Sequence, residues 1–249
     1  MRYRARVGCL VPIVLLVAAA VGFTVWANKS ITLRYRFTLV VDDNGHAVRG
    51  SAVYETRWGG VGEYFPSLNV LAGGRPWQPI YSGYATYVDL GAPSILFALM
   101  TYDPLRSRQG SAQNAAGLLS AGFGSSIGGM TWDLLYRIRD TRGPVDVPIG
   151  ALPLLVRFRD LNDPATVERV DPFDLAASFG PGVKLQRATI EITNDPVTTG
   201  IEQKLPWLAL PQPDQDKLFK GLQWGGPGAD NNHDRRLFPY YFKAEDETR

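Results

Sequence analysis

Gly124 to Gly128 reads Gly-Ser-Ser-Ile-Gly and fits the pattern Gly-x-Ser-x-Gly, with Ser126 at the nucleophile position. Later in the chain come an acid, Asp171 or Asp174, and then His233, the order of a hydrolase triad. The chemistry would be acyl transfer: the imidazole takes the serine proton, the acid orients the imidazole, and backbone amides hold the oxyanion. That chemistry needs a strand running into a tight turn with a helix behind it. The residues upstream, Asn-Ala-Ala-Gly-Leu-Leu-Ser-Ala-Gly-Phe, read as helix instead, and the required parallel strands are not evident. A flexible glycine loop is the simpler account, so no catalytic residue is assigned. Ser126, His233 and Asp174 are kept as candidates.

Other chemistries find less support. His46 sits beside a turn and His233 in a polar loop, Asp-Asn-Asn-His-Asp-Arg-Arg; neither has a second imidazole at ligand spacing, so no metal site is expected. The acids of Arg-Asp-Leu-Asn-Asp-Pro, Val-Glu-Arg-Val-Asp-Pro-Phe-Asp-Leu and Ile-Thr-Asn-Asp-Pro read as turn openers and caps. They do not have EF-hand spacing, and a spatial carboxylate pair for glycoside hydrolysis is invisible in sequence. Gly-Phe-Gly-Ser-Ser-Ile-Gly lacks the spacing of a dinucleotide fingerprint, and no Gly-Lys-Ser/Thr phosphate loop occurs. No cofactor or nucleotide is therefore expected. Aromatic residues are dense from 54 to 87, and Trp58, Trp77, Tyr81 and Tyr84 are candidates for contacting a ligand, against the plainer role of filling the core.

Charge narrows the partners. The formal charge is +2, but Arg2, Arg4 and Arg6 carry the excess, and the rest of the chain has no basic surplus of the kind that binds nucleic acid. The single cysteine is Cys9, so from residue 10 onward there is no thiol nucleophile, disulfide or Cys-ligated zinc.

Those three arginines precede Gly8–Ala27, a run of 20 residues without charge. As a helix it spans about 30 Å, enough for the hydrocarbon of a bilayer. Trp26 lies at its outer end, and the arginines orient the N-terminus toward the cytoplasm. The run is longer than a usual signal core, so a retained anchor is preferred to an export signal cut near Ala27. Cys9 precedes the apolar core, which is not a lipoprotein arrangement.

The elements beyond residue 30 must position any site. Ile-Thr-Leu-Arg-Tyr-Arg-Phe-Thr-Leu-Val-Val alternates, placing Ile31, Leu33, Tyr35, Phe37, Leu39 and Val41 on one face of a strand. Asn44-Gly45 is a hairpin turn, and a returning strand puts Ala52, Tyr54, Thr56 and Trp58 on one face. Residues 59–82 read as a long loop or a ragged edge. Gly83–Gly91 reads as one strand, Ser94–Tyr102 as a central strand covered on both faces, and Ser111–Gly122 as the best helix. Thr131–Asp140 fits either a helix or a strand. Ala151–Asp160 predicts a strand with Leu154, Val156 and Phe158 inward. The apolar parity of Gly182–Thr193 slips, which a bulge near Gln186-Arg187 would reconcile.

Asp174–Thr193 and Asp195–Leu208 resemble an uncharacterised set of bacterial proteins with a single N-terminal membrane segment. The resemblance implies placement in the cell envelope; no activity and no functional residue come with it.

The expected fold is mainly β, an antiparallel sheet or two-sheet sandwich with one or two short helices, preceded by a single N-terminal transmembrane helix. Residues 1–7 would be cytoplasmic, 8–27 the transmembrane signal-anchor, 28–207 a periplasmic β-rich domain, and 208–249 an irregular Pro/Gly-rich tail. The expected location is the bacterial inner membrane, single-pass, or secreted if cleaved. The expected function is non-catalytic: a scaffold or adaptor in the envelope binding another protein through a sheet edge or the aromatic loops. The alternatives are an exported serine hydrolase using Ser126 and His233, and a carbohydrate- or lipid-binding module.

Overall fold

The computed structural model describes residues 12–19, 21–22, 29–59, 80–91, 93–103, 105–106, 112, 114–222 and 237–244. Residues 12–19 and 21–22 are helical (α1). The remainder of the 8–27 run lies outside the described residues, and among the described residues no helix is long and apolar enough to cross a membrane.

The alternating stretch forms β1 (Ser30–Asp43), which turns through Asn44 and Gly45 into β2 (His46–Gly59). Asn44 and Gly45 have φ of 51° and 89°, the doubly left-handed turn that suits the twist of a hairpin. β1 lies between β2 and β9 (Val183–Ile192) and runs antiparallel to both. The slip in apolar parity is a bulge: Val40 faces Arg187 and Val41 faces Leu185, leaving Gln186 unmatched. With β3 (Ile80–Tyr84), β6 (Val145–Asp146) and β10 (Lys243–Ala244), these strands make a six-stranded sheet ordered β10-β3-β2-β1-β9-β6.

A second sheet has the order β4-β5-β7-β8, from β4 (Thr86–Asp89), β5 (Ile95–Ala98), β7 (Leu155–Phe158) and β8 (Val167–Val170). All its pairs are antiparallel. The expected single strand across Gly83–Gly91 is thus two strands in different sheets. The break falls at Ala85, whose N–H goes to Phe242 O at 2.8 Å, next to Gly83 at φ 142°. A Cβ on Gly83 would lie 2.6 Å from the Tyr54 ring, so only glycine lets the chain cross there.

The faces of the second sheet explain its apolar sequence. Leu96, Ala98, Leu155 and Val170 join the core formed with the inner face of β1 and β2. Ile95, Phe97, Val156, Phe158 and Val167 point the other way, into a second core with Leu205, Trp207, Leu208, Phe219, Leu237 and Phe242. Every residue of β5 is buried, as a strand covered on both faces requires.

The second core changes the reading of the C-terminal region. Residues 208–222 and 237–244 are not an appendage to a domain ending at 207. They include α5 (Gln212–Phe219) and β10, and they cover the outer face of the second sheet. The reason is apolar demand: Phe97, Val156 and Phe158 would otherwise face water. Trp207 and Phe242 meet edge to face at 5.2 Å between centroids and close this layer.

Thr131–Asp140 is resolved as a helix, α3 (Trp132–Asp140), by its Thr131 cap, whose hydroxyl accepts from Leu134 N–H at 3.2 Å. Leu135 and Ile138, spaced by three, are its buried stripe. The predicted helix is α2 (Ala115–Gly122), capped by Asn114, with Leu118 and Leu119 in the first core. α4 (Ala176–Phe179) is the short helical turn that Val170–Gly180 suggests, and α5 is a further short helix. The molecule is mainly antiparallel β in two sheets, with a few short helices.

Candidate functional site

Ser126 is exposed and follows α2 rather than a strand. Its Oγ accepts from Gly129 N–H at 3.2 Å, so it caps the turn Ile127–Gly129. Asp174 Oδ1 accepts from Ala177 N–H at 3.2 Å and Asp171 Oδ1 from Phe173 N–H at 3.0 Å; both organise the turn at α4. No hydrogen bond joins Ser126 to either acid among the described residues, and His233 lies outside them. A nucleophile elbow gains its strain and its oxyanion amide from a strand entering a helix, and that local geometry is not what surrounds Ser126. His46 is exposed at the start of β2. Among the described residues no group of three or more His, Cys, Asp or Glu could hold a metal ion.

The four aromatic candidates separate. Trp58 is fully buried, with its ring N–H on Thr56 Oγ1 at 3.2 Å, so it is a core residue and not a ligand contact. Its alternation with Tyr54 and Thr56 on the inner face of β2 buries it. Tyr84 is also buried, beneath the Lys243 ammonium at 5.5 Å. Trp77 lies outside the described residues. Tyr81 lines an open cleft, and Tyr84 touches the edge of a smaller one.

One buried ionic cluster went unnoticed in the sequence. Asp103 has no exposed surface and accepts from Arg106 Nε at 2.8 Å and from Arg169 Nη2 at 2.7 Å. Burial alone would raise its pKa; hydrogen bonds from Arg169 and Arg106 outweigh it and hold the carboxyl below its ordinary value. Arg106 sends its remaining N–H groups to the carbonyls of Ile149, Gly150, Leu152 and Pro153, at 3.0–3.3 Å. These groups are spent on clamping the 149–153 connection to β8, which is architecture and not catalysis.

The strongest site is a cleft of roughly 760 Å³ between β3, α5 and the turn before β10. Tyr81, Phe238, Pro239 and Tyr240 form its aromatic side, with Gln212, Gln215, Asp216 and Lys243 among the polar lining. The run Leu-Phe-Pro-Tyr-Tyr-Phe builds it. Pro239 opens a tight turn, Pro239–Tyr241, and Phe242 is driven into the second core. Met100 N–H to Tyr241 O and Ala85 N–H to Phe242 O, both at 2.8 Å, fix the turn from both sides.

Phe238 and Tyr240 then stack with centroids 5.1 Å apart and planes at 15°, and Tyr241 meets Tyr240 edge-on at 4.7 Å. Tyr240 is 58% exposed. Burial, and then the nearby Tyr240 hydroxyl, push the Tyr81 phenol above its usual pKa, so it stays a neutral hydrogen-bonding group. Gln212 Nε2 donates to Asp216 Oδ1 at 3.0 Å, and Gln215 Nε2 donates to the carbonyls of Leu208 and Leu210. Flat rings beside fixed amides can hold a rigid, partly apolar chain with hydrogen-bonding groups along it. Among the described residues the lining carries no nucleophile paired with a base. A six-residue segment with four rings was the signal for it in the sequence.

No protein-family model, no curated protein and no solved structure matches this chain.

Proposed function

We propose that the protein is a single-pass envelope protein, held in the bacterial inner membrane by residues 8–27, whose periplasmic β-rich domain binds an extended segment of another protein in the Tyr81–Phe238–Tyr240 cleft. The observation that carries the binding role is the stack of half-buried Phe238 on exposed Tyr240, in a turn fixed by backbone hydrogen bonds. Rings held rigid in the unbound protein bind with little loss of side-chain freedom, and stacked aromatics favour extended, proline-bearing chains. The neighbouring edge strand β10 supports the same reading, because a sheet edge offers main-chain hydrogen bonds to such a segment.

The anchor is supported by α1. Ile13, Val14, Leu15, Leu16, Val17 and Val21 are 55–70% exposed, a helix surface that hydrocarbon accommodates far better than water. Retention in alkaline-washed membranes with residues 1–27 present in the intact mass is expected. Soluble protein beginning at Asn28 would overturn the anchor.

The binding role is tested by a photo-crosslinking amino acid in place of Tyr240, in cells making the full chain. One discrete protein adduct is expected, lost when Phe238→Ala or Tyr81→Ala is added and absent from a probe at Lys184. Adducts that ignore these substitutions, or retention on cell-wall glycan in place of a protein adduct, would overturn it.

A further inference from the structure

We infer that the face made by Lys29, Trp132, Tyr136, Arg139 and Arg142 lies on the membrane surface and binds the phosphates of anionic phospholipid headgroups. This rests on the anchor reading. The Lys29 ammonium is 4.8 Å from the ring centres of both Trp132 and Tyr136, so the chain enters β1 directly against α3. The uncharged run ends at Ala27, two residues earlier, and two residues span at most about 7 Å. Covalent connection therefore holds α3 near the level at which the chain leaves the hydrocarbon.

The residues on that face suit that level. Trp132, Tyr136 and Arg139 follow at helical spacing on one stripe of α3, and indole and phenol rings favour the headgroup layer. Leu135 and Ile138 bury the adjoining stripe, and Trp132 and Tyr136 are half-buried against the same core, which fixes the orientation of the helix. Arg142 is exposed, and with Arg34 and Arg139 it lines an adjoining groove of roughly 510 Å³. Arg139 is committed to Asp140 and Arg34 to Glu55, and Asp133 also lies on this helix; even so the four cations Lys29, Arg34, Arg139 and Arg142 outnumber the three acids Glu55, Asp133 and Asp140. Guanidinium forks match phosphate oxygens, and basic residues beside a membrane segment draw anionic lipid.

The test uses the full chain in lipid nanodiscs, with Cys9→Ser and one fluorophore on Asp133→Cys or, as a control, on His46→Cys. The control lies beyond β1, about 43 Å along the strand. Discs are phosphatidylcholine alone or with roughly one third phosphatidylglycerol, and a quencher is carried on the headgroups. Strong quenching at position 133, increased by phosphatidylglycerol, and weak quenching at 46 are expected. Arg142→Gln should reduce the lipid-dependent gain about fivefold. Equal quenching at the two positions, or no response to phosphatidylglycerol, overturns the lipid-binding face while the anchor stands. A chain that does not enter discs overturns the anchor, and the inference with it.

Discussion

Asp103 and Arg169 are joined across 66 residues of chain by two carboxylate oxygens and two guanidinium nitrogens, the closest pair at 2.7 Å. The bond ties the loop after β5 to β8 and, through Arg106, to the 149–153 connection. Asp103→Asn would leave two largely buried cations without their counter-charge, a loss of about 3–5 kcal/mol. Urea denaturation at neutral pH measures it, and a midpoint unchanged from the parent would contradict the role.

The same carboxylate sets an acid limit. Its folded pKa is lowered, so its contribution is present above the ordinary carboxylate value and is lost as pH falls through the folded value. Stability should therefore decline in the acid range below about pH 4, and the slope should flatten in Asp103→Asn. Melting temperature against pH for both proteins checks this.

Tyr54 predicts an alkaline limit of the opposite sign. Burial pushes its phenol up to about 12, partly offset by the side-chain and backbone hydrogen bonds to Thr86. A raised folded pKa means that the contribution is complete below the unfolded value near 10 and is lost as pH rises toward 12. Its hydroxyl lies 3.0 Å from both Thr86 N and Thr86 Oγ1. Tyr54→Phe should cost about 1–2 kcal/mol at neutral pH, since it orphans a buried amide, and should weaken the alkaline decline. Denaturation at neutral and alkaline pH separates the two effects.

Gly50 marks where the sheets nearly touch. A Cβ there would lie 1.7 Å from Tyr87 O, a backbone atom that cannot move aside without β4. Gly50→Ala should destabilise by about 1–3 kcal/mol, the cost of overpacking, although position 50 is on a strand where alanine is ordinarily harmless. Chemical denaturation checks it, and a neutral result would show that the sheets part easily.

Ser126 separates binding from hydrolysis. As a turn cap on the surface it should lose at most about 1 kcal/mol on Ser126→Ala. A fluorophosphonate probe should leave the parent unlabelled. Labelling removed by Ser126→Ala would overturn the non-catalytic reading.

Local pattern determined much of the fold. The period-two alternation of β1, the Asn44-Gly45 turn and the parity slip at Gln186 depend on neighbours in sequence, so each could be read before any contact was known. The uniformly apolar β5 likewise announced a strand with two covered faces. What tertiary structure decided is whatever depends on distant partners. The strand expected across Gly83–Gly91 divides because Phe242 takes the amide of Ala85. Trp58 leaves the set of ligand residues because the inner face of β2 buries it. Residues 208–222 and 237–244, from a stretch rich in proline and glycine and without period, pack because the second sheet leaves Phe97, Val156 and Phe158 to be covered. Asp103 and Arg169, and likewise Tyr81 and Tyr240, carry no joint signal in one sequence; hydrophobic burial brings them together, and burial sums over contacts that the chain order does not record.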